Sequence, residues 1–217
     1  MTDAALSERT HKAELARAAR REEILDAARR VFARNGFRGT TIADIADEAG
    51  IALGTIYLYF SSKDDVFAAL RERLGEVIAT ATVEAPRGST PEETTRLQIA
   101  NIFAACSENR DLVRLVVLNT DPESAAAKRI RKAEADRNKP LARALQRGMR
   151  DGTVRDGDPV VMANLVSGAV SIAVYQAFVV SDGKDADKYR DACADMLVAY
   201  LAPSGKRDAG AQSKQGR

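Results

Sequence analysis

The chain has 217 residues, 45% of them hydrophobic and 29% charged, with no tryptophan and 5% aromatic residues. This composition fits a soluble globular protein of one large domain or two small ones, dominated by good helix formers. The formal net charge is only +2, so the sum neither demands nor excludes a polyanionic partner and the distribution carries the information.

Residues 1–20 read as a polar, Ala-rich, basic arm that frays before leading into a helix. Nine Lys or Arg against four Asp or Glu lie between Arg9 and Arg38, so this end is locally basic. An ordinary solvated helix face gives the same count. Over residues 21–35, Ile24, Leu25, Ala28, Val31 and Phe32 share one helical face. Asn35-Gly36 closes the helix with a left-handed cap, and Phe37 folds back onto that face. Thr41 and Asp44 form a capping box for a short second helix carrying Ile42, Ile45, Ala46 and Ala49 and closing at Gly50. The next stretch, TIYLYF at residues 55–60, has the propensities of a strand. Its place between helical patterns argues instead for a third short helix over residues 52–60. There Ile56 and Phe60 face inward, whereas Leu53, Tyr57 and Leu58 point away.

Ser62 and Asp65 make a second capping box, opening a longer helix with Val66, Phe67, Leu70, Leu74, Val77 and Ile78 that runs to about Val83. Residues 86–89 read as a linker. Pro91 takes the first position of a helix whose apolar side holds Leu97, Ile99, Ile102, Phe103 and Cys106. Asn109-Arg110 interrupts the pattern. The nearly all-apolar LVRLVVLNT at residues 112–120 reads as a short central helix. A long helix begins at Asp121-Pro122, with Pro140 expected to bend it, and ends at Asp151-Gly152. Asp158-Pro159 opens an uncharged helix to residue 180. Its length would span a bilayer, but Asn164, Ser167, Ser171 and Gln176 interrupt it, so a buried helix packed on both sides is the better account. Residues 187–201 form a last helix, and the tail from residue 203 reads as disordered.

The fold class is therefore all-α, with about nine helices. No internal repeat, signal peptide, zinc-ligand spacing, catalytic constellation or phosphate-cradling glycine loop stands out. This argues against an enzyme and against a cofactor or metal. Cys106 and Cys193 lie in apolar helical contexts and read as small buried hydrophobes of a cytoplasmic protein.

Two short helices joined by a tight turn at Gly50-Ile51-Ala52 make a helix-turn-helix signature. On this point the chain resembles a known family. FRGTTIADIADEAGIALGTIYLYFSSKDDVFAAL, residues 37–70, is similar to the N-terminal domain of TetR-type bacterial transcriptional repressors. Thr41, Ile45, Ala46, Ala49, Gly50, Gly54, Thr55, Tyr57, Phe60, Lys63 and Asp64 match the family pattern. The resemblance implies a DNA-binding domain at residues 21–66, an effector-binding and dimerisation domain at 67–202, and a homodimer on pseudo-palindromic double-stranded operator DNA.

By the same resemblance, Thr40 or Thr41 and the second helix's N-terminus touch phosphate. Ala43, Leu53, Gly54, Thr55 and Leu58 face the bases, although Ala43 has no donor. Tyr57 and Tyr59 reach the sugar-phosphate backbone, and Lys63 makes a charged phosphate contact. Ala52 departs from the family's usual serine N-cap. Leu53 and Leu58 can only pack on thymine methyls or sugars, so shape, phosphate contacts, Arg38 and the basic Arg17, Arg20 and Arg21 must contribute more.

The implied effector pocket draws on Phe103, Arg114, Leu118, Arg137, Asn138, Leu141, Asn164 and Tyr175. The implied dimer face combines Ala163, Ser167, Gly168, Ala169, Ala173 and Ala177 with Val160, Leu165, Val170, Ile172 and Val174. GTIYLYF is similar to segments of fatty-acid-responsive members, so a small hydrophobic effector, acyl-CoA among the candidates, is expected. Regulation by a protein partner, or without any small effector, is the alternative.

Overall fold

The computed structural model describes residues 3–82, 89–119 and 125–203, with the side chains of 3–6 and 125–135 left aside. All regular structure among the described residues is helical: α1 Asp3–Asn35, α2 Ile42–Glu48, α3 Leu53–Ile56, α4 Lys63–Ala81, α5 Pro91–Glu108, α6 Arg110–Leu118, α7 Ala125–Arg150, α8 Pro159–Tyr175 and α9 Ala186–Leu201. The expected linker at 86–88, the helix start at Asp121-Pro122 and the tail beyond 203 lie outside the described residues.

The helices form two compact units. The first comprises Met1–Val77 and Asn109–Ile130, and the second Ile78–Glu108 and Arg131–Arg217. In the first unit, Ile24, Leu25, Ala28, Val31 and Phe32 of α1 are buried together with Ile45 and Ala46 of α2, Ile56, Phe60 and the α4 residues Val66, Phe67 and Leu70. Phe32, Phe37 and Phe67 form a ring cluster with centroids 5.0–6.5 Å apart, so Phe37 does fold back. Gly36 takes φ 69° at the end of α1, where its amide donates to the Phe32 carbonyl at 2.9 Å. The short helix α6 packs on α1 within this unit, burying Leu112, Val113, Leu115 and Val116.

The N-terminal arm differs from expectation. Residues 3–20 are not frayed but continue α1 without a break. Alanines and long straight side chains, with no glycine or proline, favour helix even where nothing packs on it. All described side chains of residues 7–20 are exposed.

In the second unit α5 packs on α8 and α9. Ile99, Ile102, Phe103 and Cys106 of α5 are buried, and Phe103 stacks on Phe178 at 5.9 Å. Burial pushes the Cys106 thiol up to about 12 and raises that of Cys193, which disfavours the thiolate at both. Asp158 caps α8 by accepting from the Val160 and Val161 amides at 2.8 and 3.1 Å. Its last turn widens into a π-helical segment, Gln176–Val180, that buries Ala177 and Phe178.

The uncharged helix corrects the expectation of packing on both sides. Pro159–Val180 is long and apolar enough to cross a membrane, and a third of it is buried. Ala163, Ala173, Val174 and Ala177 are buried inside the chain, so these small residues serve close packing within the unit. Val160, Val161, Leu165 and Ile172 are exposed. Overall hydrophobicity cannot tell a helix buried on two sides from one whose second side waits for a partner.

Candidate nucleic-acid interface

The helix-turn-helix is positioned by local capping. Thr41 Oγ1 accepts from the Asp44 amide at 3.2 Å, and an Asp44 carboxylate oxygen accepts from the Thr41 amide at 2.7 Å. These bonds hold the Asp44 carboxyl below its usual range. Gly50, at φ 66°, sets the turn that redirects the chain. Its missing Cβ would meet open space, so backbone conformation alone requires glycine there.

The third helix is shorter than residues 52–60. Only Leu53–Ile56 is α-helical, and its N-cap, Ala52, makes no side-chain bond. After Ile56 the chain tightens, with the Leu58 amide bonding the Thr55 carbonyl at 3.1 Å and the Tyr59 amide bonding the Ile56 carbonyl at 3.0 Å. Two strand-favouring tyrosines, Tyr57 and Tyr59, account for the early end of the helix. The inside-outside pattern survives. Ile56 and Phe60 are buried, whereas Leu53, Tyr57 and the 70%-exposed Leu58 face outward. Gly54 is exposed, Thr55 is half-buried and Ala43 half-buried on α2.

Thr40 requires a correction. It is 2% exposed, and its hydroxyl donates to the Gly36 carbonyl at 2.8 Å. That hydroxyl is spent on closing the α1–α2 loop, which leaves Thr41 as the exposed threonine at the α2 N-terminus. Lys63 is similarly engaged. Its ammonium donates to the carbonyls of Phe37 and Thr40, each at 2.7 Å, and lies 4.5 Å from the centroid of the Phe37 ring. Two of its three donors thus tie the start of α4 to the α1–α2 loop. Motif spacing places Lys63 near this loop but says nothing of carbonyls 23 and 26 residues upstream.

Two arginines of α1 hold the recognition segment from the side. Arg17 Nη2 donates to the Leu58 carbonyl at 3.4 Å, and its guanidinium lies 6.0 Å from the Tyr59 ring centre. Arg21 sits 5.1 Å from that of Phe60. Tyr59 is half-buried here. Arg20 pairs with Glu23 at 2.5 Å, and Arg38 is exposed beside the loop.

Several stabilising pairs have no signature in sequence spacing. Glu48 of α2 accepts from Arg30 at 2.6 Å and Arg34 at 2.5 Å, which lowers its pKa. Arg29 of α1 grips Asp111 of α6 with both Nε, at 2.5 Å, and Nη2. The pairing partner lies 82 residues away, and only tertiary contact reveals it. The Arg29 guanidinium holds the Asp111 carboxyl below the usual carboxylate range. Since the folded pKa is depressed, the pair stabilises the fold above the unfolded carboxylate value, and this is lost as pH falls through the folded value. Thermal melts of wild type and Asp111→Asn should therefore differ by about 0.5–1 kcal/mol at pH 7, discounted for partial exposure. The difference should begin to shrink below about pH 4, the unfolded carboxylate value, and should be lost only as pH falls through the lower folded value. A difference that does not shrink at all as pH is lowered below about 4 would exclude the linkage.

The residues expected at the pocket divide between the two units. Phe103 is buried against Phe178. Leu141 packs on Leu145, Met162 and Ala163. Asn138 donates to Asn164 Oδ1 at 2.9 Å and accepts from Ser167 at 2.8 Å, so these groups satisfy each other across α7 and α8. Arg137 is exposed and Tyr175 half-buried. Arg114 and the 59%-exposed Leu118 belong to the first unit. Helical periodicity does not say which neighbour a polar side chain meets.

Among the described residues, a tri-helical motif with an exposed, anchored recognition segment precedes further helices, the architecture of a helix-turn-helix DNA-binding protein. Residues 24–70 match the family model described as bacterial regulatory proteins, tetR family. The match covers the helix-turn-helix segment, and the relatives it points to are DNA-binding transcriptional regulators rather than enzymes. The chain is 28% identical over 183 residues to the fatty acid metabolism regulator protein of Bacillus subtilis (strain 168), covering 82% of this chain and 94% of that one. The repressor KstR2 of Rhodococcus jostii is 42% identical over 79 residues, only 39% of its length. Among solved structures, the SmeT–triclosan complex superposes with a TM-score of 0.68 at 26% identity, covering 86% of this chain and 93% of that one. The Bacillus subtilis regulator FadR in complex with stearoyl-CoA gives a TM-score of 0.66 at 24% identity, covering 83% and 98%. At that identity the likeness concerns the fold.

Proposed function

We propose that the protein is a ligand-responsive cytoplasmic repressor. It binds a pseudo-palindromic operator as a homodimer and is released by a small hydrophobic effector, with acyl-CoA thioesters the first class to test. Residues 21–66 form the DNA-binding part and 67–202 the effector and dimerisation part. The observation that carries this reading is the recognition segment, which turns Leu53, Tyr57 and Leu58 outward on a base anchored by Ile56 and Phe60. In this reading Thr41 and Lys63's remaining N–H meet phosphate, Ala43, Leu53, Gly54, Thr55 and Leu58 face bases, and Tyr57 and Tyr59 meet the backbone. The fatty acid metabolism regulator among its relatives supports the acyl-CoA class. Triclosan in the SmeT complex supports a hydrophobic effector more generally.

The test has two arms. Selection from a random duplex library should enrich an inverted repeat, and recovery of no sequence preference would refute the operator reading. Long-chain acyl-CoA should then raise the melting temperature, by about 2.7 kcal/mol of stabilisation at a hundred times Kd, and weaken operator binding about 5- to 150-fold. A chain that binds its operator but responds to no acyl-CoA or other hydrophobic compound would favour regulation through a protein partner or without an effector.

Apolar readout has its own test. Leu53→Ala with Leu58→Ala removes exposed side chains and should leave the melting temperature unchanged. Discrimination at thymine-containing positions should fall by about 1 kcal/mol or more per position. Full retention of sequence preference would show that these leucines do not read the operator.

A further inference from the structure

The fold of the DNA-binding unit leaves one basic element unexplained. Helix α1 begins at Asp3, well before its first buried residue, Ile24. Residues 7–20 contribute nothing to the core, yet they carry Arg9, Lys12, Arg17 and Arg20 against Glu8 and Glu14.

Two contacts fix the direction in which this extension runs. Arg21 meets the ring of Phe60, which is buried, and Arg17 meets the carbonyl of Leu58, the outermost part of the recognition segment. Moving N-terminally along α1 therefore leads from the buried base of the segment to its exposed reading surface. The next turns of α1 pass beyond that surface. Arg9 lies ~12 Å further along the axis than Arg17, at 1.5 Å per residue. At 3.6 residues per turn, Arg9, Arg17 and Arg20 share about a quarter of the helix circumference, and Lys12 lies about 60° further round, beyond Arg9 and away from Arg17 and Arg21. The side that touches the recognition segment thus borders, through Arg20 and Arg9, a basic stripe that winds past it along α1.

We propose that the α1 extension is a second DNA-contact element. While the recognition segment occupies the major groove, Arg9 and Lys12 bind phosphates of duplex DNA outside the half-site, and Arg17 positions the extension by anchoring it to the recognition segment. The proposal rests on the DNA-binding reading given above. The occupant is double-stranded DNA because the stripe is cationic, apolar-poor and continuous with the reading surface. An already helical extension presents its charges at defined spacing, so the contact needs no folding on binding. It supplies affinity independent of sequence, which a recognition segment with so few hydrogen-bonding side chains needs.

The test uses the full chain and the duplex recovered by selection, in two forms: one with 10-bp random flanks and one trimmed to the selected core. On the flanked duplex, R9Q/K12Q should bind on the order of tenfold more weakly at 0.15 M salt. Its salt slope should shrink by about 0.9 for each phosphate no longer neutralised, about two phosphates per bound protomer. On the trimmed duplex, wild type and variant should bind alike. R9K/K12R keeps both charges and should behave as wild type on either duplex. An unchanged slope for R9Q/K12Q on the flanked duplex would overturn the proposal, as would equal losses on both duplexes. Failure of the wild type to bind any duplex would instead refute the operator reading itself.

Discussion

Leu165→Arg combined with Ile172→Arg should yield a folded chain that sediments as a monomer and binds its operator about 10²- to 10³-fold more weakly. The reason lies in the side of α8 that its own unit leaves open. Val161, Leu165, Gly168 and Ile172 recur at i, i+4, i+7 and i+11, and line one side of the helix. Leu165 and Ile172 are each 56% exposed. On α9, Ala192, Met196 and Ala199 repeat the same spacing, and Met196 is exposed. A stripe of this kind on a water-facing helix suits a second copy of the chain, in which each protomer covers the other's stripe.

Burying Leu165 and Ile172 contributes about 1.5–3 kcal/mol each relative to exposure. Arginine at either position would place an unpaired charge in such an interface, at a cost of several kcal/mol. Both side chains are exposed in the single chain, so the substitutions should not unfold it. The loss in operator affinity follows from effective concentration, because a second half-site bound in the same dimer adds about 10²- to 10⁴-fold in avidity. Equilibrium sedimentation and a binding isotherm decide the matter. A variant that remains dimeric, or a wild type that is already monomeric, would exclude α8 as the dimer face.

Lys63→Met should lower the stability of the DNA-binding unit by about 2 kcal/mol, because hydrogen bonds to a charged group contribute about 1.5–3 kcal/mol. A melting temperature about 10 °C lower is the expected readout for a unit of this size. Lys63 sits at the first position of α4, the wrong end of the helix dipole for a cation. Its place is compensated by the two loop carbonyls and by the Phe37 ring. Methionine keeps the stem but leaves the Phe37 and Thr40 carbonyls without that donor, and the loop presenting Thr41 loses its tie to α4.

The same variant separates two roles for this residue. A lysine that only met phosphate would leave the melting temperature unchanged, and its loss would reduce the salt slope by about 0.9. A lysine that chiefly organises the loop would lower the melting temperature, and operator affinity would partly recover at lower temperature.

Much of the DNA-binding unit is legible from short-range chemistry. The Thr41–Asp44 capping box, the glycine ends at Gly36 and Gly50, and the inward placement of Ile56 and Phe60 depend on residues at most four apart, and spacing encodes them directly. Helix α3 stops short of its own apolar pattern. That pattern runs on to Phe60, but the hydrogen bonds tighten after Ile56, and periodicity tolerates both geometries. The arm at residues 3–20 departs from expectation for the opposite reason. Absence of an apolar stripe removes a packing signal but does not remove helix propensity.

Polar residues expected at the pocket have partners that spacing does not announce. Asn138 and Asn164 are plausible ligand partners on any helix, and only the tertiary fold shows that they bond to each other across α7 and α8. Sequence alone determined the all-helical class, the positions of most helix ends and the helix-turn-helix motif, because each depends on local propensity, caps and a contiguous pattern. Tertiary structure alone decided that Thr40 is spent within the loop, that Lys63 ties the start of α4 to that loop, that Arg29 meets Asp111, and that the uncharged helix keeps one side open. Those outcomes depend on which surfaces distant segments present to each other, and no local rule carries that information.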